Sequence, residues 1–371
     1  MTALRFLKEE LAALESRGLL RVARPLDPRV MALCSNDYLG YAARPLVHDG
    51  AAGGAGASAL IAGYGASHGA AEAALAAWVA RPSALLFTSG YAANVGTLAA
   101  LLGPQDLVVS DELNHASIID GSRLSNATIR VFPHRDLLKA EALLREGRSG
   151  HRRALLVSES YFSMDGTVAD LRGLRAIADA HDATLMVDEA HALGVFGPQG
   201  RGLCAREEIV PDVLVGTLGK AVGLQGAFVA GAEPLRQFLW NRARSFVFST
   251  ALSPALAAAI PARVQEVRAA DAARARLLAM AERIRGVLLE HGVVPGGEGP
   301  IVSWTVGTPE RALDLQARLR EHGLWVAAIR PPTVPPGTCR LRITPSAGLS
   351  DSELDRVLVS LAAVAGTPLG G

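Results

Sequence analysis

Between about residues 84 and 217 the apolar positions fall into short runs: ALLFT (84–88), LVVS (107–110), IRVF (129–132), ALLVSE (154–159), TLMVDE (184–189) and VLVGT (213–217). Each is four to six residues long and mostly apolar, which suits a buried strand. Between several of them lie alanine- and leucine-rich stretches such as LRGLRAIADAHD (171–182). Strands alternating with helices predict an α/β fold, a mostly parallel central sheet covered by helices on both faces. Ligands of such sheets gather at the carboxyl ends of the strands. The polar residues just beyond those ends are therefore the candidates for chemistry.

The flanks read differently. Leu4, Leu7, Leu11 and Leu14 recur at helical spacing and predict an amphipathic helix near the N-terminus. After about residue 253 the pattern predicts a long Arg/Ala/Leu helix (254–291), a strand IVSWTV (301–306), a helix (309–322), and strands within LWVAAIR (324–330) and CRLRIT (339–344). This is the pattern of a smaller α+β domain. The expected organisation is an N-terminal helical segment (1–34), a large domain (35–253) and a small C-terminal domain (254–371). A chain of 371 residues is long enough for one large core with a smaller partner.

Composition narrows the function. Half of the residues are hydrophobic, a fifth are charged, and the net charge is +1. A nucleic-acid binder would show a basic excess, so no nucleic-acid partner is expected. Cys34, Cys204 and Cys339 are scattered and odd in number, which predicts reduced thiols in a cytoplasmic protein and no metal site. No apolar run approaches the roughly 20 residues that span a bilayer, and the charged N-terminus lacks the apolar core of a signal peptide, so no membrane partner is expected.

Two stretches carry the chemistry, VDEAH (187–191) and TLGK (217–220). DEAH suggests a nucleotide-driven motor, but a phosphate-binding G-x-x-x-x-G-K-[ST] loop is absent. The only Gly-Lys pair is Gly219-Lys220, and Ala221 follows it in place of the hydroxyl that would hold magnesium. Pyridoxal phosphate (PLP) sets other demands: a lysine for its Schiff base, a carboxylate facing the pyridine nitrogen, and a phosphate pocket. Of 37 Lys+Arg residues only Lys8, Lys139 and Lys220 are lysine. Lys8 and Lys139 fall in helices among charged neighbours, whereas Lys220 follows a buried strand in a loop of small residues. Asp188 ends its strand and could keep a pyridine nitrogen protonated, or simply cap the next turn. Ser89, Gly90 and Tyr91 stand between a strand and a helix start, where amide N–H groups favour an anion. His115, in NHAS (114–117), could stack on a cofactor ring or serve as a hydrogen-bonded loop residue.

Taken in order, SNDYLG (35–40), HGAAEAALAAW (68–78), SGYAAN (89–94), NHASIIDG (114–121), ESYFSMDG (159–166), VDEAHALGVFGPQGRG (187–202), TLGKAVGLQG (217–226), FST (248–250) and RPPTVPPGTCRLR (330–342) resemble the α-oxoamine synthases, a PLP-dependent family of fold type I. The resemblance covers residues 11 to about 360. It implies that Lys220 carries the cofactor and moves protons, that Asp188 faces the pyridine nitrogen, and that His191 and Ser163 lie near the phenolic oxygen. It implies further that His115 stacks on the ring, that Gly90, Tyr91 and Thr217 hold the cofactor, and that Ser249 and Thr250 reach the phosphate of the neighbouring subunit of a homodimer. Arg342 would anchor the amino-acid carboxylate and Asn36 would sit close to the substrate. Arg21, Arg330 and Thr333 would meet the acyl substrate or the product carboxylate. The implied reaction is the decarboxylative condensation of L-alanine with a pimeloyl thioester, on CoA or an acyl carrier protein, in biotin synthesis. The alternative is a sister enzyme joining glycine to acetyl-CoA. Two positions depart from the family pattern: Ala192 follows DEAH, and SAGL (346–349) has no histidine.

Overall fold

The computed structural model describes residues 4–23, 25, 27, 29–46 and 50–366. Among these the strands are, in chain order, β1 (Met31–Ala32), β2 (Ser83–Phe87), β3 (Leu107–Asp111), β4 (Thr128–Phe132), β5 (Ala154–Glu159), β6 (Thr184–Asp188), β7 (Val213–Thr217), β8 (Ala227–Gly231), β9 (Val302–Gly307), β10 (Leu324–Trp325), β11 (Ala327–Ile329) and β12 (Cys339–Ile343). The chain divides into two compact units. The larger holds Asn36–Ser163 and Val168–Ala275; the smaller holds the residues up to Ser35, Met164–Thr167, and those from Arg276 on.

The larger unit is built on a seven-stranded sheet of order β2-β8-β7-β6-β5-β3-β4. Only β8 runs against the others: it pairs antiparallel with β2 and β7, while the remaining pairs are parallel. All six expected strands form, each within one residue or so of its predicted bounds. The added strand is β8, AFVAG, which lies inside a glycine-rich stretch and lacked a distinct apolar run. Strands β2, β3, β5, β7 and β8 are buried along their whole length, so their sequences run apolar instead of alternating. Leu85, Val108, Leu155, Met186, Val215 and Val229 belong to one core cluster on this sheet.

The smaller unit holds the antiparallel sheet β11-β12-β9 and the short parallel pair β1-β10. Leu288, Trp304, Leu315, Leu341 and Leu361 belong to its own core. Four expectations are corrected. The boundary falls after Ala275 instead of after residue 253, and the N-terminal segment belongs to the smaller unit. The single helix 254–291 is two, Pro254–Arg268 and Asp271–Glu290. Arg274 marks the break, because its guanidinium donates to the carbonyls of Val267 and Arg268 at the end of the first helix. The stretch 324–330 splits between two sheets, as β10 and β11. No helix among the described residues is long and apolar enough to cross a membrane.

Candidate active site

Because β2, β3, β5, β6 and β7 run the same way, their carboxyl ends bring distant residues to one edge of the sheet. Ser89 and Gly90 follow β2, Asn114 and His115 follow β3, Glu159 ends β5, Asp188 ends β6, and Thr217 ends β7 with Lys220 three residues on. Register tightens the arrangement: Asp188 stands opposite Glu159 on β5 and opposite Val215 on β7.

Asp188 is buried, and its two carboxylate oxygens have different partners. Oδ1 accepts the Ala190 N–H at 2.8 Å, and Oδ2 accepts the Asn94 Nδ2–H at 2.7 Å. The carboxylate therefore both ties down a turn and is aimed by a buried amide. The neighbouring Glu189 turns elsewhere, accepting the N–H groups of Leu203 and Cys204 at 3.1 Å each. His191 is buried, with its Nδ1 2.7 Å from the Tyr38 hydroxyl.

The loop after β7 is held from several sides. The Thr217 hydroxyl donates to the Gly226 carbonyl at 3.2 Å and accepts the Gly219 N–H at 3.3 Å. Gly223 donates to the Lys220 carbonyl at 2.8 Å. Its φ is +67°, and a Cβ there would lie 2.5 Å from the Tyr41 carbonyl carbon, so only glycine fits. The buried Arg263 donates from Nη1 to the carbonyls of Tyr41 (2.9 Å) and Val222 (3.1 Å). Lys220 thus rises from a braced loop.

His115 is the N-cap of the helix Ala116–Leu124. Burial of its inner edge holds its pKa below the ordinary histidine value; Lys220 works in the same direction, while Asp188 and Asp120 oppose it. Glu159 is fully buried. Burial first, and the Asp188 charge second, push its carboxyl up to about 8. The charges of Asp188 and Lys220 are felt at both His115 and Glu159, so the four groups form one cluster.

Glu159 makes a stability prediction. In the unfolded chain it ionises near its ordinary 4.5, but in the fold only near 8. The folded protein therefore binds more protons across this window, and stability falls as pH rises from about 5 to about 8. Gln at this position cannot titrate. Denaturation midpoints of wild type and Glu159→Gln should diverge over that range in favour of the variant, by at most about 1.4 kcal/mol per pH unit. Parallel pH curves would contradict the assignment.

A helix starts just past the end of β2. Ser89 caps the helix Gly90–Leu101, its hydroxyl accepting the Ala92 N–H at 3.1 Å. A Cβ on Gly90 would come within 3.8 Å of Thr217, so the two expected cofactor residues are neighbours. The Tyr91 side chain turns to Asp120, donating its hydroxyl at 2.5 Å. Ser163 is nearly buried, Ser249 half-buried and Thr250 exposed; Thr250 bridges to Ser58. Asn36 is half-buried, and its carbonyl accepts the Tyr38 N–H at 2.8 Å.

The other expected substrate residues lie in the smaller unit. Arg342 is buried on β12, opposite Ser303. Arg21 donates to the Thr333 hydroxyl at 3.3 Å, and Arg330 donates to the Gly18 carbonyl. Burial, and secondarily the Arg21 charge, lower the Arg330 pKa, so these two cations lie close together. The sequence reading missed Asn94, Ser117, Glu159, Tyr38 and Arg263. The first four sat within its motifs as unremarked letters, and Arg263 left no signal.

This donor set fits PLP: a lysine on a braced loop, an aimed carboxylate, and a helix start beside a threonine hydroxyl. The sequence matches the aminotransferase class I and II family over residues 28–361. It is 46% identical to an 8-amino-7-oxononanoate synthase from Anaeromyxobacter dehalogenans strain 2CP-1, with 98% of this chain and 96% of the relative aligned. The chain belongs to this family. A second 8-amino-7-oxononanoate synthase, from Marinobacter nauticus, is 43% identical with 95% of each chain aligned. Among solved structures, a serine palmitoyltransferase from S. paucimobilis with a bound PLP–myriocin aldimine has a TM-score of 0.87 at 28% identity, covering 97% of both chains. An 8-amino-7-oxononanoate synthase from Francisella tularensis has a TM-score of 0.76 at 25% identity, covering 91% of this chain and 98% of the other. The chain is a PLP-dependent acyltransferase of fold type I.

Proposed function

We propose that this enzyme condenses L-alanine with a pimeloyl thioester, carried by CoA or an acyl carrier protein, to give 8-amino-7-oxononanoate, CO₂ and the free thiol in biotin synthesis. The observation that carries this reading is 42–46% identity over nearly the whole chain to relatives named for that activity. PLP, when bound, supplies an electron-poor ring that lets the alanine α-carbon give up a proton and later carbon dioxide.

The chain's residues divide the remaining work. Lys220 would hold the cofactor through its aldehyde, and its amine is the group that would remove and return the α-proton. Asp188 would hold the proton on the pyridine nitrogen, because a nearby negative charge favours the cationic form. His191 and Ser163 would orient the cofactor's phenolic oxygen, and His115 would stack on its ring. Gly90, Tyr91 and Thr217 would hold the cofactor, with Ser249 and Thr250 reaching the phosphate in the second subunit of a homodimer. Exposed apolar side chains support that dimer: Phe6, Leu7 and Leu11 on the N-terminal helix of the smaller unit, and Ile61 and Phe248, the latter 73% exposed, on the larger. Arg342 grips the alanine carboxylate with a planar fork of donors, and Asn36 lies beside the bound amino acid. The expected compartment is the cytoplasm.

Arg21, Arg330 and Thr333 separate this substrate from the alternative. A pimeloyl chain ends in a second carboxylate, which two adjacent guanidinium groups suit; an acetyl group has none. Release of CoA and CO₂ should therefore be faster with alanine and pimeloyl-CoA than with glycine and acetyl-CoA, by at least about tenfold in kcat/KM. The reverse ranking would assign the chain to the glycine-using sister activity.

A further inference from the structure

The protonation state of His115 can be read from its neighbours. Its Nδ1 accepts the backbone N–H of Ser117 at 3.2 Å. A backbone N–H can only donate, so this nitrogen carries a lone pair and no proton. The Ser117 hydroxyl lies 2.7 Å from the same nitrogen. That oxygen also accepts an Nδ2–H from Asn94 at 2.9 Å, which leaves its one proton directed at His115. The Asn94 amide is oriented in turn by Asp188, because a carboxylate offers only acceptors and Nδ2 faces it. Hydrogen-bond donation therefore runs in one direction, from Asn94 through Ser117 to His115. Asn94 and Ser117 are both fully buried, so water cannot replace either donor.

We propose that Asn94 and Ser117 are positioning residues that fix His115 as the neutral tautomer with its proton on Nε2. His115 then offers the reaction a hydrogen-bond donor at Nε2 and no positive charge. Neutrality matters beside an electron-poor ring: a cation there would repel the protonated pyridine and compete with it for Asp188. The charged and titratable groups around His115 are Asp188 from β6, Lys220 from the loop after β7, Glu159 at the end of β5, which accepts the backbone N–H of His115, and Asp120 on its own helix. The two carboxylates Asp188 and Asp120 favour protonation of the ring, so the donors to Nδ1 work against them. Only the catalytic consequence rests on the proposed function; the tautomer itself does not.

The test is ¹⁵N NMR of histidine-labelled full-length protein, with and without PLP, across pH 5 to 9. The His115 signals are assigned by their loss in His115→Gln. The expected result is an unprotonated Nδ1 and a protonated Nε2 throughout the neutral range. Ser117→Ala, which keeps the backbone donor and loses the hydroxyl, should raise the His115 titration by about one pH unit, and Ser117→Thr should restore it. Asn94→Asp, which turns a donor into an acceptor, should raise it as well. The acid limb of kcat/KM should move with the NMR titration in each variant. A proton on Nδ1 in the wild type, or identical titrations in wild type and Ser117→Ala, would overturn the proposal. An inactive protein with the expected NMR pattern would instead count against the proposed reaction and leave the tautomer standing.

Discussion

Lys220→Ala loses turnover by at least about 10⁴-fold and no longer holds the cofactor covalently, while its melting temperature stays within a few degrees of wild type. The size follows from two roles lost together, covalent attachment and proton transfer at the α-carbon, the second alone worth about 10²–10⁴. No other lysine can take over. Lys8 and Lys139 are exposed on the helices Phe6–Ser16 and Leu137–Gly147, the first in the smaller unit and the second following β4, the edge strand of the large sheet. Lys220→Arg should be equally inactive, because a guanidinium stays protonated and cannot act as an amine nucleophile. Steady-state rates and the visible spectrum above about 400 nm check both variants. The fold survives because Thr217, Gly223 and Arg263 brace the loop without using the lysine side chain.

Asp188→Asn has the second-largest expected effect, a loss of about 10²–10³-fold in kcat with the cofactor still attached. An amide of the same shape keeps the turn but carries no charge. An ion pair at contact distance near a protein surface is worth about 4 kcal/mol, nearly three factors of ten in rate when the charge is needed in the transition state. The variant also turns one wall of the site around. Asn94 donates to Asp188 Oδ2, and an amide NH₂ at that place would meet another donor. Asp188→Asn combined with Asn94→Asp should relieve this clash without restoring the rate. Wild-type kcat in the single Asp188→Asn variant would show that the charge opposite the pyridine nitrogen is dispensable, and recovery in the double variant that the carboxylate need not stand at position 188.

Much of this was legible in the sequence because parallel sheets announce themselves. Buried strands read as unbroken apolar runs, and the residues that act stand just after those runs, as Asp188, His115 and Lys220 do. β8 escaped because AFVAG is short and bracketed by glycines, so its place beside β2 depended on long-range pairing. The break between the helices Pro254–Arg268 and Asp271–Glu290 escaped because alanine and arginine favour helix on both sides. The stop is made by a tertiary contact, Arg274 on the carbonyls of Val267 and Arg268. Glu159 was visible as a letter but silent as chemistry. Its perturbed carboxyl arises from the register that sets it opposite Asp188 across two strands, and no local pattern encodes that pairing. Asn94 and Ser117 act only through the side chains they aim, which a linear reading does not reveal.

The central claim is that the Lys220 amine, alone among the chain's three lysines, carries the cofactor. Borohydride reduction of the purified holoenzyme, followed by proteolysis and mass spectrometry, tests it most directly. The account predicts one pyridoxyl-phosphate adduct per chain, on the peptide containing Lys220. An adduct on Lys8 or Lys139, or a cofactor released unmodified from a fully active enzyme, would contradict it.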